Sequence, residues 1–338
     1  MQNTKYTRFA AAAAIYTAFA VYLYRHYFKG FGALRLQDLF VASVCLASLG
    51  CYVLSRRWVA GFAESFFAGA IYGFGPFTLG LAKFHPTTGL LAAAIPWLFC
   101  PAVFGPKNRC RWLRVPFSIL PFLAIMLFFQ VSAGFHLYPI PIKLKLHSAD
   151  LVGLLAPLVA AMHRMTLVGF YHIPIAALIL GFSMLLLARR YGIMVIFSIA
   201  TILAFCDSFF DISPVIWLSI STLCCSIFVG AGMQGLICAG FADRKWILFT
   251  AIVMGIFAIV ALLLATKYFS VFAGLGEGTA RLFTETAQMY ILGAIAVAIL
   301  FFIARAKLRM HPLRQILLCG TMALDIFLGA RFVVDRIF

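Results

Sequence analysis

Eleven uninterrupted apolar stretches follow one another along the chain, at residues 9–28, 37–55, 62–82, 88–104, 115–138, 165–188, 191–210, 213–236, 246–266, 285–304 and 314–334. A helix needs about 20 predominantly apolar residues to cross a bilayer, and these stretches are of that order. Of the 338 residues, 64% are hydrophobic and 11% charged, against about 45–50% and about 25% in soluble domains. A soluble fold of this length cannot hide so much apolar surface. Disorder, a collagen-like rod and a disulfide scaffold are excluded on the same grounds. The chain reads as an all-α polytopic membrane protein, one transmembrane helical domain over 1–338. Its connecting loops are too short for a soluble catalytic domain.

The first stretch follows Lys5 and Arg8 and contains Ala18-Phe19-Ala20, which together resemble a signal peptide. Every later segment is also apolar, so we expect a retained first helix. A twelfth apolar patch at 151–162 is too short to cross and carries Pro157. It is expected as an interfacial or re-entrant helix within the longest external loop, 139–164.

Charge orients the segments. With the N-terminus cytoplasmic, the inner loops hold 16 of the 27 Lys and Arg residues, and the external side holds seven of the ten acids. Such a bias is the positive-inside signal, although Arg25, Lys29 and Arg35 lie outside. The expected topology is N-in and C-out, in a bacterial-type cytoplasmic (inner) membrane. The net charge of +17 is spread over many short loops and is not gathered into a nucleic-acid footprint. Anionic phospholipids are the expected partners, with Arg109, Arg111, Arg309 and Arg314 as contacts in the clusters 107–114 and 305–314. A membrane-protein partner is a further expectation. The nine cysteines include no CxxC pair and read as core residues.

In hydrocarbon an ionisable group is costly and becomes a functional candidate. Asp325 is the deepest, near the middle of the last segment. Arg331 stands six residues on, about 240° round the axis, so Asp325 needs a partner from another helix, a bound cation or proton, or a water-filled cavity. Asp207 and Asp211, spaced i, i+4 at the outer end of the seventh segment beside Ser208 and Ser213, form a candidate cation site. Their position at the water interface also explains them simply. His136, His163 and His172 are the candidate metal or redox residues. No cofactor is expected, and haem b is the alternative. His163 and His172 are nine residues apart, on opposite faces of one helix, so they cannot share a metal.

Backbone punctuation marks a candidate pathway. The third segment carries Gly69, Gly73, Gly75 and Pro76, and the eighth carries Gly230, Gly232 and Gly235. Interrupted spans at matching places in two halves point to a transporter site. Here they match under a five-plus-five inverted repeat, although helix packing explains glycines too. Nucleotide-binding, metalloprotease and hydrolase signatures are absent from the sequence. The leading expectation is a small-solute or ion-coupled transporter using Asp325, Gly73, Gly75, Pro76, Gly230 and Gly232. The alternatives are a non-catalytic subunit or anchor of a larger complex, and an intramembrane enzyme on lipid-linked substrate using Asp38 or Asp150.

Overall fold

Proline opens the helices Pro76–Phe84, Pro86–Phe104, Pro157–Met162 and Pro214–Cys238. It suits a first helical position, because the missing amide would be unbonded there anyway. In the computed structural model, residues 3–27, 40–59, 61–84, 86–104, 119–128, 130–131, 152–162, 169–188, 190–206, 212–239, 243–266, 277–305 and 310–337 are described. In chain order the helices are α1 (Asn3–Tyr24), α2 (Phe40–Ser55), α3 (Phe62–Phe74), α4 (Pro76–Phe84), α5 (Pro86–Phe104), α6 (Ile119–Phe128) and α7 (Val152–Leu155). They continue with α8 (Pro157–Met162), α9 (His172–Leu187), α10 (Tyr191–Phe205), α11 (Pro214–Cys238), α12 (Arg244–Ala265), α13 (Glu277–Arg305) and α14 (His311–Ile337).

The described residues form no strands. Five helical segments, at Phe62–Lys83, Pro214–Cys238, Arg244–Ala265, Thr279–Arg305 and His311–Arg336, are long and apolar enough to cross a membrane, with shorter apolar helices beside them. This is the architecture of an integral membrane protein. In the first two of the five, 94% of the apolar window is buried, against 28% in α12. The α3–α4 segment and α11 therefore form the centre, and α12 turns most of its surface outward.

Small residues decide which helices meet. A Cβ on Gly181 of α9 would collide with the Phe228 carbonyl of α11, and one on Gly232 would collide with the Ala177 carbonyl. The two backbones touch, as small residues allow in membrane bundles. Gly73 is pressed in the same way against Val44 and Ser48 of α2, and Gly230 against Ala68 and Glu64 of α3.

The expected pair of matching interruptions is half present. Gly75 is extended, with φ −70° and ψ 157°, and it separates α3 from α4. By contrast α11 runs unbroken through Gly230, Gly232 and Gly235. Gly73, Gly230 and Gly232 sit at helix–helix crossings. Of the two expected steps, the one at Gly75-Pro76 is an interruption. Within the segment expected over 165–188, the described residues 169–171 are not helical and the helix starts at His172, so His163 and His172 do not share a described helix.

Candidate functional site

Helix α9 begins inside the protein. Its 16 residues span roughly 24 Å at 1.5 Å per residue, less than a bilayer core of about 30 Å. Tyr171, at its N-cap, is extended and offers no side-chain cap. The first amides of a helix lack intrahelical acceptors, and at this depth no water replaces them. Asp325 of α14 supplies what the sequence of α9 does not. Its Oδ2 accepts the Ile173 amide at 2.7 Å, and its Oδ1 lies 2.9 Å from Nδ1 of His172. Asp325 and His172 are each 1% exposed. A carboxylate at a helix N-terminus also meets the positive end of the helix dipole. At 1.5 Å per residue, Asp325 lies roughly 20 Å from either end of α14.

Two tyrosines complete the surroundings. The Tyr171 hydroxyl donates to the Phe74 carbonyl at 2.7 Å. That carbonyl is freed where α3 stops. The Tyr290 hydroxyl of α13 donates to the Leu155 carbonyl at 2.8 Å, at the α7–α8 break. The Tyr290 ring stands edge-on to His172, with centroids 5.2 Å apart. A Cβ on Gly169 would lie 3.1 Å from the Gly153 carbonyl and 3.5 Å from both Pro157 and Pro76. Three chain interruptions thus meet at the His172–Asp325 pair: Gly75-Pro76, Ala156-Pro157, and the stretch 169–171 that leads into α9. Freed carbonyls are satisfied by tyrosine hydroxyls, and a freed amide by the carboxylate. Nε2 of His172 is buried without a hydrogen-bond partner among the described residues. It is the one polar atom of the pair left uncommitted.

The other sequence candidates fall elsewhere. Asp207, Asp211, His136, His163, Arg109, Arg111 and Arg309 lie outside the described residues, as do Asp38 and Asp150. Arg314, expected at lipid headgroups, is 5% exposed, and its Nη1 donates to the carbonyls of Ile237 and Ala239. Helix α14 starts three residues earlier, so its first turn lies against the end of α11. The guanidinium therefore meets the C-terminal carbonyls of α11. Among the described residues no three His, Cys, Asp or Glu side chains cluster to hold a metal. Nδ1 of His172 is already engaged by Asp325.

The described cavity of about 630 Å³ opens between the C-terminal ends of α9 and α11 and the start of α12, and its lining does not include Asp325 or His172.

Sequence reasoning missed the two tyrosines and Glu64. Glu64, in the first turn of α3, is 5% exposed. Its carboxylate lies over Gly61, where a Cβ would strike it. The nearest sequence signal for Tyr171 was its place beside His172, ahead of a proline at 174. No family model, curated protein or solved structure matches the chain.

Proposed function

We propose that this protein is a proton-coupled transporter of a small solute, with Asp325 and His172 as the proton-exchanging pair. One observation carries the reading: a buried carboxylate, at mid-depth in α14, is shared between an imidazole and the open amide of an interrupted helix. Intramembrane acids that meet histidines mark proton relays, and interrupted helices near the midplane mark transporter sites. Taking up a proton at Asp325 weakens its hold on Ile173 and releases the start of α9. The C-terminal half of α9 forms a wall of the 630 Å³ cavity, so the same helix ties proton exchange to the space where a solute could enter.

Eleven crossings, a cytoplasmic N-terminus and an inner-membrane location belong to the same proposal. They are supported by the basic residues Arg57, Arg190, Arg244 and Lys245, which flank or line one cavity at one end of the bundle.

The test uses protein reconstituted in vesicles that enclose a pH-sensitive dye. Sugars, amino acids and organic acids are supplied one by one under an imposed pH gradient. We expect at least one to evoke proton flux, and Asp325→Asn to abolish that flux while the protein stays monodisperse. Flux that persists unchanged in Asp325→Asn, or no flux with any solute class, overturns the reading.

A further inference from the structure

The cavity at the basic end has a chemistry of its own. Leu180 and Met184 of α9 supply apolar wall, and Trp58 and Trp246 stand at its sides. Arg190 and Asp243 are the charged residues of the lining. Exposed Arg57 immediately precedes Trp58, and exposed Lys245 immediately precedes Trp246. The lining itself holds one cation, Arg190, and one acid, Asp243, and the exposed cations Arg57 and Lys245 adjoin it through their chain neighbours Trp58 and Trp246.

A volume of about 630 Å³ falls in the range of roughly 300–1,000 Å³ typical of small-molecule sites. Apolar walls leave a sugar's hydroxyls unpaired, and a bare inorganic anion leaves those walls wet. A molecule with an anionic head and an apolar body satisfies both. Phosphate, with several acceptor oxygens, suits cations that arrive from different loops better than a single carboxylate does. The two tryptophans suit the headgroup level, where such rings favour the membrane interface. Trp246 and Phe249, 46% and 48% exposed on the outward surface of α12, give an apolar body a route from the bilayer.

We propose that this cavity binds a phosphate-headed amphiphile, with its head at the Arg57, Arg190 and Lys245 rim and its apolar body against Leu180 and Met184. The site stands apart from the His172–Asp325 pair, with which it shares only helix α9, and the proposal holds whether or not that pair moves protons.

The experiment measures quenching of tryptophan fluorescence by lipids with brominated acyl chains, using the full chain in neutral detergent. Brominated phosphatidic acid is expected to quench saturably, at lower mole fraction than brominated phosphatidylcholine. Trp58→Phe/Trp246→Phe should lose that quenching. Replacing the surface cations together (Arg57→Gln, Arg190→Gln, Lys245→Gln) should weaken phosphatidic acid by roughly tenfold or more, the effect of losing charged hydrogen bonds, and leave phosphatidylcholine unchanged. The readout is lipid binding at one fixed pH and involves no proton flux, so its outcome is independent of the proton pair. Equal quenching by the two lipids, or an unaltered affinity in the triple variant, would show unspecific contact with surrounding lipid and overturn the proposal. Full displacement of the lipid by inorganic phosphate at comparable affinity would show a free-phosphate site and overturn the amphiphile.

Discussion

Arg314 and Asp325 lie eleven residues apart on α14, and the helical repeat brings them to within about 20° of one another round its axis. The guanidinium meets the carbonyls at the end of α11, and the carboxylate meets the amide at the start of α9. Helix C-termini carry partial negative charge and N-termini partial positive. One buried stripe of α14 therefore places a cation and an anion at the helix ends that attract each of them. It pins the two helices that touch at Gly181 and Gly232.

Asp325→Ala should destabilise the protein more than Asp325→Asn. Alanine leaves the Ile173 amide and Nδ1 of His172 without their buried acceptor, a loss of about 3 kcal/mol. Asparagine keeps one oxygen for the amide and should recover about 1 kcal/mol of that. Thermal unfolding in detergent, followed by a thiol-reactive dye, ranks the two; equal midpoints would remove the capping role.

Arg314→Met should cost about 3 kcal/mol, because it leaves the carbonyls of Ile237 and Ala239 without a donor in a buried place. Arg331 is 56% exposed, in an i, i+4 pair with Asp335, and Arg331→Gln should cost less than about 0.5 kcal/mol. The same melting measurement compares them. If the two variants behaved alike, Arg314 would not be the clamp at the end of α11.

Glycine substitutions divide by contact. Gly181→Ala and Gly232→Ala force Cβ atoms into backbone carbonyls and should abolish a monodisperse elution peak. Gly192, Gly255 and Gly320 have no neighbour near the added carbon. Alanine there should be neutral or stabilise by up to about 1 kcal/mol, the helix preference over glycine.

Tyr171→Phe and Tyr290→Phe each remove the hydroxyl that satisfies a carbonyl at a helix break. Each should cost about 1–2 kcal/mol. Gly329→Ala should cost more than Tyr171→Phe, because its Cβ would run into the Tyr171 ring and separate α14 from the start of α9. Melting midpoints of the three variants check the order, and a Tyr171→Phe midpoint below that of Gly329→Ala would contradict it.

The apolar runs by themselves determined a helical membrane protein, because burial of this much hydrocarbon depends on composition and length alone. The break at Gly75-Pro76 was legible too, since a missing amide and a preferred extended step are local properties of the backbone. So was the need of Asp325 for something beyond its own helix, whether a partner from another helix, a bound cation or proton, or a water-filled cavity, which follows from the cost of a lone charge at depth.

The tertiary structure decided the rest. His172 stands 153 positions from Asp325, and no local pattern connects them. Arg314 reads like any basic loop-edge residue until the end of α11 is seen against it. Helices that are apolar on every side do not announce which face packs inward. That choice falls to shape: where glycines let two backbones touch, and where a charge on one helix reaches the open end of another. The same shape brings Trp58, Arg190 and Trp246, from three distant stretches of the chain, to one cavity.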